Sequence, residues 1–288
     1  SVTDVVVCDN GSTDGTGEVV RRWSRRAPAI RLVSEPTPGK PAAWNRLFQE
    51  ATTEYVIFLD ADVLPGPGHL GLLVAATASG RHVAYCGRRQ FRGASPGAVW
   101  AARIADPVVE LCLVGPCYAV HRVRLQARMA ERGYRHMPDV FAEDHVLQAV
   151  LEPDEVARVD GCVVEVSLDS MDALVVLLAR RHLVRHELAT EVPLLGRRLD
   201  ALFPEVLRVW PQLWAVLGGP YSPRRKARWV AGGLAKAAVL AAYRKRIGAV
   251  ARALIAQYDR EGGGLVLRAL SASPTLGERA STPAAAGP

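Results

Sequence analysis

The chain has little of what marks a secreted, metal-knotted or membrane-spanning protein. Its 288 residues include only five cysteines (Cys8, Cys86, Cys112, Cys117 and Cys162), and no two form a C-x-x-C pair. An odd set without that spacing excludes a disulfide framework and a cysteine zinc site, and predicts a reduced, intracellular protein. No uninterrupted apolar run reaches the roughly 18 residues that a spanning helix needs, and no signal peptide opens the sequence. Acidic residues are absent between Tyr221 and Tyr258, where nine Lys and Arg stand. The net charge of +7 therefore belongs to that C-terminal segment, and the rest of the chain sums to −2. With 49% hydrophobic and 23% charged residues the chain is globular, with one large core or two modest ones.

Against these absences stands one stretch, Tyr55-Val-Ile-Phe-Leu-Asp-Ala-Asp-Val-Leu64, followed by Pro65-Gly66-Pro67-Gly68. Its apolar run does not alternate with polar residues and reads as a strand buried on both faces. In an α/β sheet, ligands collect at the carboxyl ends of the strands, which is where Asp60 and Asp62 fall. Two carboxylates so close repel unless a cation or donor lies between them. Mg²⁺ or Mn²⁺ bridging a pyrophosphate answers that need; an N-cap and turn pair without metal is the alternative.

The stretches before it follow a βα rhythm. Asp4–Cys8 reads as a strand ending in the turn Asp9–Thr16, and Thr13 or Asp14 can cap a helix carrying Val19, Val20 and Trp23. Ile30–Ser34 is a second strand, and Glu35–Lys40 a loop into a helix with Ala43, Trp44, Leu47 and Phe48. Two βα units and a third strand predict a mostly parallel, Rossmann-type sheet flanked by helices. A carboxylate at a strand end, as Asp9 is, accepts a base N–H or a ribose hydroxyl, or else only braces its turn. Lys40 follows a glycine at a helix start, where an ammonium meets a phosphate or is simply solvated. Asn45 reads as a structural hydrogen-bonder.

Four segments together resemble family-2 glycosyltransferases of the GT-A fold. Cys8-Asp-Asn-Gly-Ser-Thr-Asp-Gly-Thr16 is similar to that family's D-D/N-G-S-x-D-x-T turn, and Pro38–Asn45 to its G-K-x-x-A-x-N segment. Asp60-Ala-Asp62 resembles its D-x-D motif and Phe141-Ala-Glu-Asp144 its later E-D pair. The resemblance covers about Val5 to Leu151. It implies that Asp9 contacts the nucleotide base, that Lys40 lies near the base or the phosphates, that Asp60 faces the ribose or sugar, and that Asp62 holds the metal. Asp144 would be the general base that deprotonates the acceptor hydroxyl. The family's Q-x-x-R-W motif is reduced to His182-Leu-Val-Arg-His186, so only Arg185 is carried over, as a donor-binding residue. The family also begins with a strand and a P-x-x-N-E-like turn that have no counterpart after Ser1.

Further on, Gly68–Ser79 reads as a helix and Val83–Gly87 as a strand; Ser95–Leu113 is helical with a break at Pro107. A glycine-led strand spans Gly115–Arg122, Glu143 and Asp144 open a helix, Ala157–Val166 is a strand and Leu168–Thr190 a long helix. His145 reads as an ordinary exposed helix histidine. Leu240, Tyr243, Ile247, Val250, Leu254 and Tyr258 form an apolar stripe. That stripe packs on the catalytic domain or lies on an anionic membrane surface; nucleic acid is not expected as a partner. The expected organisation is a catalytic domain over 1–168, a helical basic region over 169–262, and a tail over 263–288 that is disordered from about 271.

The reading is an inverting, metal-assisted hexosyltransferase acting on a nucleoside diphosphate sugar and an acceptor hydroxyl. The acceptor would be a lipid-linked or cell-envelope glycan, and the location cytoplasmic, at the inner face of the membrane. Two rivals accompany it. One is a glycosyltransferase-like module that binds without turnover. The other, resting on Phe58–Leu64, is a phosphatase similar to the haloacid dehalogenases, although the later acidic pair of that family is missing.

Overall fold

The computed structural model of the chain describes residues 4–61, 63, 65–105, 115–140, 143–202, 217–218 and 222–261. In chain order the elements are β1 (Val5–Asp9), α1 (Thr16–Arg26), β2 (Ile30–Ser34), α2 (Lys40–Glu50), β3 (Tyr55–Leu59), α3 (His69–Thr77), β4 (Ala84–Arg92) and α4 (Pro96–Ala105). They continue as β5 (Cys117–His121), α5 (Arg122–Glu131), α6 (Glu143–Val150), β6 (Val156–Ser167), α7 (Met171–Glu191), α8 (Pro193–Leu202) and α9 (Pro223–Glu261). Two compact units result: Ser1–Arg88 with Leu113–Val164, and Arg89–Cys112 with Glu165–Pro288. Pro107, Asp62, Phe141 and the tail after 261 lie outside the described residues.

The first unit is α/β, with helices flanking its strands. β1 and β2 pair in parallel, from Val5 opposite Ile30 to Asp9 opposite Ser34. Parallel pairing does not extend through the whole sheet as the βα rhythm predicts. The other strands form a separate sheet in the order β3-β5-β4-β6, and β5 runs antiparallel to both β3 and β4. The cause is non-local: β5 inserts between two strands far from it in sequence, which an alternation of elements does not encode. Its Cys117, Tyr118, Ala119 and Val120 are all buried, as a central strand covered on both faces must be. By contrast Val6, Val7, Val56 and Ile57 are only half-buried. Among the described residues no strand joins β1 to β3, and helix α2 bridges them instead. It packs on β1, while its Trp44 stacks on Phe58 of β3 with ring centroids 4.8 Å apart.

Local chemistry explains the helix starts. The N-cap of α1 is Gly15, at φ 85°, rather than Thr13 or Asp14. Asp14 still serves that end, accepting from the Thr16 backbone N–H at 3.0 Å and the Thr16 hydroxyl at 2.6 Å. Glu18 in the first turn and Arg25 and Arg26 in the last suit the helix dipole.

The second unit is built largely from helices: α7 packs against α4, α8 and α9, and α9 also against α4. Leu174, Leu178, Leu183 and Leu188 of α7 are buried together with Ile247, Leu254 and Tyr258 of α9. The C-terminal apolar stripe therefore packs within its own unit at those three positions. Arg244 and Lys245 of the same helix are exposed. Among the described residues no helix is long and apolar enough to cross a membrane.

Candidate active site

The site gathers at the carboxyl ends of β1, β2 and β3 and the start of α6, all in the first unit. At the end of β1, Asp9 accepts from the Ser12 backbone N–H at 2.9 Å. That hydrogen bond holds its carboxyl below the usual carboxylate range. A Cβ at Gly17 would come within 2.6 Å of Asp9 Oδ2, so the glycine leaves the room this carboxylate occupies.

Asn10, next in the turn, clamps the following loop. Its Nδ2 donates to the carbonyls of Glu35 at 3.1 Å and Thr37 at 2.6 Å, and its Oδ1 accepts from the Gly39 N–H at 2.6 Å. Gly39 sits at φ 135° as the N-cap of α2, so the next residue, Lys40, projects from a fixed point. Its ammonium does not stand free in a loop. It lies 3.0 Å and 3.1 Å from the two carboxylate oxygens of Asp60 and 2.8 Å from Glu143 Oε1. Burial works to lower the Lys40 pKa, but Glu143, Asp60 and Asp144 outweigh it and hold the ammonium above the usual lysine range.

Asp60 is fixed in turn by its backbone N–H, which donates to the Pro116 carbonyl at 3.0 Å. The Glu143 side chain is only 3% exposed. Burial keeps its carboxyl above the usual range, although Lys40 pulls the other way. Asp144, beside it in the first turn of α6, has Oδ1 2.9 Å from the His145 N–H and 3.0 Å from His145 Nδ1. His145 thus touches the carboxylate expected to be the base. Gly115 lies against the same side chain: a Cβ there would meet Asp144 Oδ2 at 2.6 Å.

Beneath this cluster the Trp44 Nε1 donates to the Tyr118 hydroxyl at 2.9 Å in a buried contact. Burial holds the Tyr118 hydroxyl well above its ordinary pKa, and the charges of Glu143, Asp144 and Asp60 add to this. Asn45 bonds both backbone groups of Met137, Nδ2 to the carbonyl at 2.9 Å and Oδ1 to the N–H at 2.8 Å, and so fixes the approach to α6.

Asp9, Lys40, Asp60 and Asp144 therefore belong to one unit, and Lys40 links Asp60 electrostatically with Glu143 and Asp144. Asp62 lies outside the described residues, and among those described no three His, Cys, Asp or Glu side chains come together to hold a metal. Arg185 is on α7 of the second unit, where it pairs with Asp200 at 2.9 Å. Sequence reasoning passed over Asn10 and the buried role of Glu143. Each stands directly beside a singled-out carboxylate, and that adjacency was the available signal.

Carboxylates and a lysine gathered at strand ends, behind a strand–turn–helix, define an α/β ligand-binding domain. Comparison with known families makes this specific: residues 1–135 match the model for "Glycosyl transferase family 2". Over those residues the chain is similar to the family-2 glycosyltransferases. It is 28% identical over 138 residues to the putative glycosyltransferase EpsE of Bacillus subtilis (strain 168), covering 46% of this chain and 49% of that one. It is 41% identical over 59 residues to the succinoglycan biosynthesis protein ExoA of Rhizobium meliloti (strain 1021), covering 20% and 18%. A crystal structure of S. aureus TarS 1-349 in complex with UDP-GlcNAc aligns at TM-score 0.45 and 15% identity, over 95% of this chain and 83% of that one. The matches span 17% to 49% of the curated relatives' own length.

Proposed function

We propose that the chain transfers a hexose from a nucleoside diphosphate sugar to an acceptor hydroxyl, with inversion at the anomeric carbon. The observation that carries this reading is the shared lysine. Asp60, on the donor side of the proposal, and Glu143, neighbour of the proposed base, bind the same Lys40 ammonium. Donor and acceptor chemistry are thereby tied to one point in a domain similar to this family.

In this reading Asp9, which its turn keeps ionised, accepts from the nucleotide base, and Asp60 accepts from a ribose or sugar hydroxyl. Asp144 removes the acceptor's proton as that oxygen bonds to the anomeric carbon. The bond to the diphosphate breaks on the opposite face, and its electrons leave with the diphosphate. Asp62 would hold Mg²⁺ or Mn²⁺, since the D-x-D donors are hard oxygens of the kind these ions prefer. When bound, such an ion offsets the charge of the leaving diphosphate. Arg185 is retained as a donor-binding residue on the family resemblance alone. The catalytic region is taken as 1–168 and the basic helical region as 169–262.

A cell-envelope or lipid-linked glycan as acceptor is supported by the succinoglycan role in the name of one relative and by the exposed Arg244 and Lys245 of α9. Those side chains suit an anionic membrane face. A module that binds without turnover is the second reading, favoured by the separation of β1 from β3.

The test is calorimetric titration with UDP and GDP, each with Mn²⁺ and with EDTA, followed by turnover of the donor sugar that the preferred base indicates. Metal-dependent binding that Asp60→Ala/Asp62→Ala abolishes, with turnover that Asp144→Asn abolishes, is expected. Binding without turnover in the unaltered chain favours the second reading, and no binding of either nucleotide by folded protein counts against both.

A further inference from the structure

A lysine at the mouth of a phosphate-binding domain is ordinarily assigned to the phosphates, and the geometry here points elsewhere. Three features bear on it. The Lys40 ammonium takes both oxygens of Asp60, at 3.0 Å and 3.1 Å, and one of Glu143, at 2.8 Å. Lys40 is the first residue of α2 and is aimed by a loop that Asn10 clamps at three backbone groups. The same helix anchors the approach to α6 through Asn45 and Met137, and the strands beneath through Trp44 and Tyr118. An ammonium has three donors. Two carboxylates from different elements engage it, and one of them belongs to a side chain only 3% exposed.

We infer that Lys40 is a positioning residue, whose ammonium joins the end of β3 at Asp60 to the start of α6 at Glu143 and so sets the distance between the donor edge and Asp144. The inference rests on the function proposed above for its catalytic meaning, but the ionic link stands on its own geometry. Removing the ammonium leaves Glu143 a buried carboxyl without its Lys40 partner, so wherever it ionises α6 must shift, or open to water, to relieve the charge. Asp144, one residue on, moves with that turn. The damage from losing Lys40 is therefore greatest where Glu143 ionises, and replacing that carboxyl repairs it.

The experiment compares Lys40→Met, Glu143→Gln, the double variant and Lys40→Arg. Three readouts are taken: thermal midpoint, UDP affinity with Mn²⁺, and kcat and KM for the donor. Lys40→Met is expected to lower the midpoint clearly and to cut kcat about 100-fold, the scale of an ångström-sized misplacement, while UDP affinity and donor KM stay within about threefold, below half a power of ten in binding. Glu143→Gln in the Lys40→Met background recovers most of the lost midpoint and at least about tenfold of kcat, because contacting residues are non-additive. Lys40→Arg keeps the charge and retains most of both.

A loss of UDP affinity of about tenfold or more in Lys40→Met, unrepaired by Glu143→Gln, would make Lys40 a phosphate ligand and overturn the proposal. Additive midpoint losses would overturn it equally. If the unaltered chain neither binds nucleotide nor turns over, the proposed function fails, and the thermal cycle alone decides whether Lys40 and Glu143 are linked.

Discussion

Gly115→Ala separates the proposed catalytic role of Asp144 from its structural one. The added methyl would sit 2.6 Å from Asp144 Oδ2 and 2.9 Å from Cγ, against an ordinary contact of at least 3.4 Å. The carboxylate must retreat by about 0.8 Å, close to the 1 Å misplacement that costs on the order of 10²-fold in rate. The backbone has no objection, because Gly115 is not among the glycines at positive φ. The atoms displaced belong to a short side chain that is 16% exposed, so the stability cost should stay near 1 kcal/mol, typical of a single substitution. Steady-state transfer assays and a denaturant melt would measure the two effects side by side. The expected result is a fall in kcat of about 10- to 100-fold with donor KM unchanged and the melt shifted little. A variant that folds and keeps kcat within twofold or so would refute Asp144 as the base, since a base pushed that far cannot keep its reach.

Asn45→Ala removes both bonds to the Met137 backbone and should cost about 2–3 kcal/mol by chemical denaturation. Leu254→Ala, in the core of the second unit, should cost about 2–5 kcal/mol in the same assay. Arg244→Glu/Lys245→Glu, at exposed positions of α9, should leave stability within about 0.5 kcal/mol but abolish co-sedimentation with phosphatidylglycerol vesicles; retained sedimentation would refute the basic face as a membrane contact. Acid titration tests the first turn. The carboxyls of Asp9, bonded by Ser12, and Asp14, bonded by Thr16, are held below the usual range. Their contribution is present above the unfolded value near 4 and is lost as pH falls through the folded values. Asp14→Asn should therefore flatten the decline of the thermal midpoint below about pH 4.

Much of this arrangement was legible in the sequence, for local reasons. The runs of Val and Ile with Gly-rich turns located β1, β2 and β3, and the E-D pair fell where expected, in the first turn of α6. The role of Asn45 as a structural bonder was also readable, although its partner 92 residues away was not. What stayed hidden depends on distant pairing. β5 enters antiparallel between β3 and β4, and no periodicity within Cys117–His121 announces its neighbours. The partners of Lys40 lie on two other elements, so a lysine after a glycine reads as a phosphate binder until both are folded beside it. Nothing local singles out Asn10, because its three contacts all lie on the next loop.

The division of the strands between two ladders has a mechanical consequence. No backbone hydrogen bond runs from β1 to β3 in either sheet, so the two ladders meet as leaves of a book, with α2 as the spine. Asp9 rides on one leaf and Asp60 on the other. A molecule that touched both carboxylates would act as a clasp, and its grip would be felt first as slower amide exchange along Val5–Asp9, whose outer edge pairs with no strand among the described residues. In the buried Cys117–His121 strand, already bonded on both sides, the same clasp would change almost nothing.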